Sequence, residues 1–314
     1  MTGTVAKLWP DPDRRLVLPS RGLRLAVCEW GDPRAASTVV VATHGYLDSG
    51  EVFGPLVAEL MALGGDVAVA ALTFAGHGDS EWADSYGWCD HVVDVLAFLR
   101  RYRRPNACTV ALGHSFGAIQ LLDALSIDGR DVDLFVNLDA VSDPKAFESS
   151  QLGVALAAAS QHGRRELRSH PDVESLVARR LEYNPRLSAE MLRPLVEQLS
   201  RVVPSGRVWK VDPALVGWVR PWDLSLDPPT DRLAMMAALP FRSLVVTGSA
   251  VDDPRIRGPY PGDAALAAVS LAAVSRVDHV VLPDAGHYVH LESPRHVAEA
   301  MAKSIADLSG GGRG

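Results

Sequence analysis

The sequence predicts an α/β fold in which a mostly parallel central sheet is flanked by helices and interrupted by an inserted α-helical cap. Short apolar, β-branched runs alternate with helix-like stretches through residues 38–138, and this alternation is typical of a parallel sheet covered on both faces. The alternation stops between residues 141 and 229, where the sequence is charge-rich and helix-like, and strand patterns return after it. A Gly-x-Ser-x-Gly sequence at residues 113–117 joins a strand-like run to a helix-like run.

The first half of the chain supports this alternation element by element. Residues 15–18 and 23–27 form two short runs, the second alternating polar and apolar, which predicts an antiparallel pair at a sheet edge. Residues 38–42 read Thr-Val-Val-Val-Ala, as expected of a strand buried on both faces. The next predicted elements are a helix over 52–63, a strand over 67–72, a helix over 88–101, a strand over 108–112 and a helix starting at 116.

The second half defines the domain organisation. A strand is predicted over 134–138, and no convincing strand follows until residue 243. The remaining predicted elements are strands over 243–247 and 279–282 and helices over 264–274 and 294–308. We therefore predict a core of residues 1–140 and 230–314, with residues 141–229 as a helical cap near the strand ends where open α/β sheets bind ligands.

Composition limits the classes of partner. A net charge of −7 and a pI near 5.8 argue against nucleic acid, which favours a basic surface. No apolar run reaches the roughly 18 residues needed to span a bilayer, and the first residues lack a charged-then-apolar signal pattern. Cys28, Cys89 and Cys108 form neither a disulfide framework nor a metal pattern. These features predict a cytoplasmic protein with reduced thiols.

The serine at the centre of residues 113–117 is the candidate nucleophile. Between a strand and a helix, this sequence forms a sharp turn that exposes the side chain of Ser115 at the strand tip. Gly113 and Gly117 carry no side chain to collide where strand and helix cross closely. The helix after Ser115 directs free backbone N–H groups toward any negative charge that forms beside it.

A serine hydroxyl needs an adjacent base to act as a nucleophile at neutral pH. Of ten histidines, His287 alone directly follows the end of the last predicted strand, in a Gly-preceded loop before the final helix. His290 and His296 are weaker candidates because they fall toward or on that helix. We therefore predict His287 as the base.

The base in turn needs a carboxylate to orient it and stabilise its cation. In a nucleophile-elbow fold the chain order is Ser, acid, His, which favours Asp252 or Asp253 in the loop after the strand over 243–247. The two aspartates are not separated by the sequence. Asp139, at the end of the strand before the cap, is the alternative acid.

The oxyanion of an acyl-transfer reaction needs two hydrogen-bond donors. One is predicted to be the backbone N–H of Phe116, directly after Ser115, and the other the N–H of Tyr46 in the loop after the strand over 38–42. His44, beside this loop, is predicted to contact the substrate.

With these motifs in order, the chain resembles the α/β-hydrolase fold family with a helical cap. The motifs lie at residues 44–45, 76–80, 113–117 and 286–287, and residues 44–48 with 113–117 most resemble the serine hydrolase-like group. The family often has an aspartate before the glycine-rich loop, where this chain has Thr73 or Phe74. The acid loop is one or two residues longer than usual, which leaves the acid open.

The resemblance implies hydrolysis of an ester, lactone, thioester or amide through an acyl-serine, with no metal and no organic cofactor. Trp209, Trp218 and Trp222 lie close together in the second half of the cap, where they could line a pocket for a hydrophobic substrate or fix the cap to the core. The alternatives are a cofactor-free, non-hydrolytic enzyme acting on a biosynthetic intermediate and a ligand-binding protein with a vestigial triad.

Overall fold

A computed structural model describes residues 8–140, 166–215, 229–250 and 276–310. Eight of the strands in these ranges form one sheet in the order β1-β2-β4-β3-β5-β6-β9-β10. The strands are β1 (Arg14–Ser20), β2 (Leu23–Trp30), β3 (Thr38–Thr43), β4 (Val67–Leu72), β5 (Cys108–His114), β6 (Leu134–Leu138), β9 (Arg242–Gly248) and β10 (Val277–Leu282). β1 and β2 are antiparallel to their neighbours, as predicted for an edge pair, and β3 to β6, β9 and β10 run parallel.

Helices cover both faces of this sheet. The α-helices of the described residues are α1 (Gly54–Ala62), α2 (Trp88–Tyr102), α3 (Phe116–Asp128), α4 (Val173–Tyr183), α5 (Ala189–Gln198), α6 (Pro229–Ala238), α7 (Val289–Glu292) and α8 (Pro294–Gly310), of which α4 and α5 lie between β6 and β9 in the chain. All six residues of β3 are buried, because one apolar cluster packs on each face of the sheet. No helix in the described part of the chain is both long and apolar enough to cross a membrane.

The sheet pairing shows where the chain is interrupted. β6 and β9 are hydrogen-bonded neighbours, with Asn137 opposite Val245, although about a hundred residues separate them. Within this interval, residues 166–215 are called the insertion here. It contains α4, α5 and a hairpin.

That hairpin corrects the expectation that the interval holds no strand. β7 (Ser200–Val203) pairs antiparallel with β8 (Gly206–Trp209). The turn works because Gly206 has φ 125°, and a Cβ there would lie 2.1 Å from the carbonyl oxygen of His170. The helix predicted over 264–274 lies outside the described residues.

Candidate active site

The elbow holds Ser115 in a conformation that few non-glycine residues adopt. Its φ is 51° and its ψ is −123° at the junction of β5 and α3. The Ser115 N–H donates to the carbonyl of Leu138 at the end of β6, at 3.1 Å. A strained φ survives when the surrounding structure fixes it, and here the neighbouring strand supplies one of the fixing contacts.

The two glycines of the motif are required by contact distances. A Cβ at Gly113 would lie 2.3 Å from the Cα of Ala118, and a Cβ at Gly117 would lie 2.4 Å from the carbonyl oxygens of Thr43 and His44. Real Cβ contacts are never this short, so α3 could not lie this close to β5 and to the end of β3 with alanine at either position. The start of α3 is thereby brought against the loop after β3.

His287 lies between the serine and a carboxylate. Its Nε2 is 3.0 Å from the Oγ of Ser115, and its Nδ1 is 2.7 Å from an oxygen of Asp139. A carboxylate accepts, so Nδ1 carries the proton and Nε2 is left to accept the serine hydroxyl. The three side chains come from the ends of β5 and β6 and from the loop after β10.

Asp139, the alternative to the loop after β9, makes the contact expected of the acid. The backbone of Asp139 has φ 53°, and its N–H donates to the carbonyl of Val246 on β9 at 2.8 Å. Its second carboxylate oxygen accepts from the N–H of Gly248 at 3.2 Å. The Nδ1 contact expected of Asp252 or Asp253 is therefore made by Asp139, the alternative acid; both of the other aspartates lie outside the described residues.

Glu292 holds the loop that carries the base, and the sequence reasoning missed it. Its two carboxylate oxygens accept from the N–H groups of Gly286, at 2.7 Å, and Tyr288, at 3.2 Å. These are the residues on either side of His287. An acidic residue five positions after the histidine, at the end of the short helix α7, is the signal that could have pointed to this contact.

The loop after β3 lies beside the elbow, where the second oxyanion donor is predicted. The rings of Tyr46 and Phe116 are 6.0 Å apart, and the Tyr46 hydroxyl donates to the carbonyl of Leu215 in the insertion. Thr43 Oγ1 donates to the carbonyl of Gly117 at 3.0 Å. These contacts bring Tyr46 and Phe116 together, and their amides as oxyanion donors stay a prediction.

His44 does not line a binding surface, and its predicted contact with substrate is corrected. Its side chain is fully buried; Nδ1 donates to the carbonyl of Gly45 at 2.7 Å and Nε2 accepts from the N–H of Phe74 at 3.0 Å. Burial holds the pKa of His44 well below its usual range, so the ring stays neutral. Both nitrogens are therefore occupied, and the Nε2 contact joins the loops after β3 and β4.

Four further histidines are buried around the site. Burial lowers the pKa of His77 to about 4 and the pKa values of His91 and His290 to about 3. His114, inside the elbow motif, is also held well below its usual pKa by burial, and its Nε2 lies 3.0 Å from the carbonyl oxygen of His287. These rings are neutral packing groups around the one partly exposed histidine of the site, His287.

The insertion is bound to the core next to the glycine-rich loop, which comprises residues 76–80. The N–H of Gly78 donates to the carbonyl of Lys210, and the N–H of Asp212 donates to the carbonyl of Gly76, each at 2.7 Å. The buried Asp212 carboxylate accepts from the hydroxyl of Tyr86 at 2.6 Å. Trp209 is half-buried and packs against both apolar clusters; Trp218 and Trp222 lie outside the described residues.

Within residues 8–140, 166–215, 229–250 and 276–310, no group of three or more His, Cys, Asp or Glu side chains is arranged to hold a metal ion. The side chains of Ser115, His287 and Asp139 instead form a hydrogen-bonded chain of a hydroxyl, an imidazole and a carboxylate. Such a hydrogen-bonded chain can activate the hydroxyl for attack on an electrophilic carbon.

Comparisons with known proteins concern the family and the fold. Residues 39–300 match the model of a family described as the alpha/beta hydrolase family. No curated protein sequence matches the chain.

Solved structures of similar fold include a thioesterase domain from the curacin biosynthetic pathway, with TM-score 0.75 and 21% identity, covering 92% of this chain and 99% of that one. An E-2-(acetamidomethylene)succinate hydrolase has TM-score 0.70 and 21% identity, covering 93% and 98%. An esterase from Mycobacterium tuberculosis has TM-score 0.65 and 18% identity, covering 95% and 92%.

Proposed function

Because the chain belongs to the alpha/beta hydrolase family, we propose that it is a serine hydrolase that cleaves a hydrophobic carboxylic ester, lactone or thioester. The observation that carries the proposal is the unbroken path from the Ser115 hydroxyl through His287 to Asp139, with heavy-atom distances of 3.0 and 2.7 Å. Both distances fall in the range of about 2.6–3.2 Å in which proton transfer is geometrically possible.

The first half of the proposed reaction forms an acyl-serine. The Oγ of Ser115 attacks the acyl carbon while Nε2 of His287 takes its proton, and the carbonyl electron pair moves onto oxygen. The oxyanion is received by the N–H groups of Tyr46 and Phe116. When it collapses, the bond to the leaving oxygen or sulfur breaks, and His287 gives the proton to that leaving group.

The second half releases the acid. A water molecule attacks the acyl-serine carbon, His287 takes one of its protons, and the second tetrahedral species expels the serine oxygen, which recovers the proton from His287. Asp139 accepts the Nδ1 hydrogen bond throughout and stabilises the imidazolium formed in each half. This scheme uses no metal and no organic cofactor.

The proposal of a hydrophobic substrate is supported by the aromatic and aliphatic residues around the serine. The ring of Phe116 packs against those of Tyr46 and Trp88, with ring centroids 6.0 Å apart in each pair. Leu215 of the insertion approaches the same place through its bond with Tyr46. We include residues 141–229 in the proposal as the cap that covers this site.

The experiment is active-site labelling followed by a substrate panel. A fluorophosphonate probe should modify Ser115 in the wild-type protein and leave Ser115→Ala unmodified, with the site located by peptide mass spectrometry. Nitrophenyl esters of increasing acyl length should then be hydrolysed. An unlabelled wild-type protein contradicts an activated serine and favours a ligand-binding protein; labelling without turnover of any ester favours non-hydrolytic chemistry on the same residues.

A further inference from the structure

We infer that Arg180 of the insertion is a positioning residue for the candidate active site, acting through Asp48 and Tyr288. The inference rests on the proposed function and adds a residue to it. No feature of the sequence distinguishes Arg180 from the other arginines of the interval, most of which are expected on solvated helix faces.

The guanidinium of Arg180 leaves helix α4 and enters the core. Its Nη2 donates to a carboxylate oxygen of Asp48 and to the hydroxyl of Tyr288, the latter at 3.2 Å. Its Cζ lies 5.4 Å from the centroid of the Tyr288 ring. The side chain of Asp48 is completely buried, and that of Arg180 is 14% exposed.

The two partners belong to the two loops that the reaction needs. Asp48 closes the turn that carries Tyr46, since its N–H donates to the carbonyl of Gly45 at 3.2 Å. Tyr288 directly follows His287, and its N–H is one of the two held by Glu292. One cation of the insertion therefore contacts both the loop of the predicted oxyanion donor and the loop of the base.

The complete burial of Asp48 makes its contact with Arg180 important. Burial raises the pKa of the Asp48 carboxyl, and Arg180 opposes that rise. For Arg180, burial works against the charge, but Tyr288 and Asp48 outweigh it and raise its pKa. Without the guanidinium, a buried carboxylate is left without its ionic partner, a state that folded proteins avoid by protonation or local rearrangement. Either response changes the turn that carries Tyr46.

Arg179 provides a matched control. It precedes Arg180 in the same helix, but its side chain is 48% exposed and its partners, Glu182 and Tyr183, lie within α4. Arg179→Met therefore removes an equal charge from the same helix without touching either loop.

The experiment measures the reaction of Ser115 with a small alkyl fluorophosphonate, resolved into a maximal rate constant and a half-saturating concentration. The variants are Arg180→Met, Arg180→Lys, Arg179→Met and the double variant Arg180→Met with Asp48→Asn. Each is measured well below its own thermal midpoint, so that only folded protein contributes.

We expect Arg180→Met to lower the maximal rate constant about 10- to 100-fold, the scale of a displacement of about 1 Å in a reacting group. The half-saturating concentration should change much less. Arg180→Lys, which keeps the charge and loses the planar fork, should fall between wild type and Arg180→Met. Arg179→Met should stay within about twofold of wild type.

Should Arg180→Met fail to fold, the double variant decides, because it removes the uncompensated carboxylate; we expect it to fold and to keep the lowered rate. The positioning role is overturned if folded Arg180→Met, or the double variant, reacts at the wild-type rate. It is also overturned if Arg179→Met loses as much of the maximal rate constant as Arg180→Met. If wild-type Ser115 does not react at all, the proposed function fails and this inference fails with it.

Discussion

The two halves of the candidate site are held by different forces. Around Ser115, the backbone of α3 lies so close to β5 and β3 that Gly113 and Gly117 have no room for a Cβ. Around His287, the loop is held by polar side chains: Asp139 on the ring and Glu292 on the flanking amides. The first half is fixed by steric exclusion between closely packed backbone segments, and the second by hydrogen bonds to carboxylate side chains. The half around Ser115 should therefore tolerate few substitutions. In the half around His287, activity should fall by a separate amount for each contact that is removed.

The largest expected effect is at the elbow. Ser115→Ala should lower ester turnover by about 10⁶, the cost typical of losing a nucleophile of this kind, while the thermal midpoint stays near that of wild type. The measurement is the initial rate with a nitrophenyl ester and, beside it, a calorimetric or dichroism melt. Retention of a tenth of the wild-type rate would end the acyl-serine mechanism.

The second-largest effect is expected in the half of the site around His287, called the polar half here because polar side chains hold it. Asp139→Asn should lower turnover by about 10⁴, because an amide in place of the carboxylate permits the wrong tautomer of His287. Asp252→Asn and Asp253→Asn are the matched controls and should stay near wild type, since the Nδ1 contact is made by Asp139. A severe loss in either control, with an active Asp139→Asn, would return the acid to the loop after β9.

The two halves of the site also differ in how far they can be predicted from the sequence. The strand, turn and helix around Ser115 were predictable because the motif, its glycines and its flanking runs are adjacent in the chain. The carboxylate in contact with Nδ1 of His287 was not, because the loops after β6 and β9 both satisfy the order Ser, acid, His. The choice depends on how the backbone of Asp139 turns, with φ 53°, at the end of its strand.

Other contacts between residues far apart in the chain were equally hard to predict. Arg180 and Asp48 meet across 132 residues, and the sequence shows no local sign of the pair. The hairpin of β7 and β8 was missed because its apolar residues, such as Val202 and Val208, are few in a charge-rich interval. His44 was assigned to the substrate by its position, but its burial and both of its hydrogen bonds depend on the packing of the loop after β4.

The third effect is on stability and involves both halves. His91 packs on Phe116 at the elbow, and His290 packs under the loop of the base, with its ring centroid 4.3 Å from that of His114. With pKa values of about 3 for His91 and His290 and about 4 for His77, these rings stay neutral in the folded protein. In the unfolded chain they take up protons as the pH falls below about 6.5.

The unfolded state therefore binds more protons, and the free energy of unfolding must fall as the pH decreases from about 6.5 toward 4. Each such histidine contributes about 1.4 kcal/mol per pH unit in that interval. Urea unfolding at a series of pH values measures the slope. His91→Phe, which keeps a ring in the cavity, should make it shallower, and an unchanged slope would show that His91 takes up its proton in the folded state.

The smallest effect is expected at Glu292 and tests how strongly the polar half depends on its supporting contacts. Glu292→Ala leaves the N–H groups of Gly286 and Tyr288 without their carboxylate, which should destabilise the fold by about 1–3 kcal/mol. Glu292→Gln keeps a side-chain oxygen that can accept from one of the two amides, so its loss should be smaller. Turnover should fall in the same order, by about tenfold for alanine, because the loop then holds the imidazole less firmly against Ser115.

The neighbouring exposed Arg295, paired with Glu299 within α8, provides the control: Arg295→Ala should change neither the stability nor the turnover appreciably. Urea midpoints and ester turnover measured on the three variants decide the matter. Equal turnover in Glu292→Ala and wild type would mean that Asp139 and the chain on either side of the loop orient His287 without help from the carboxylate.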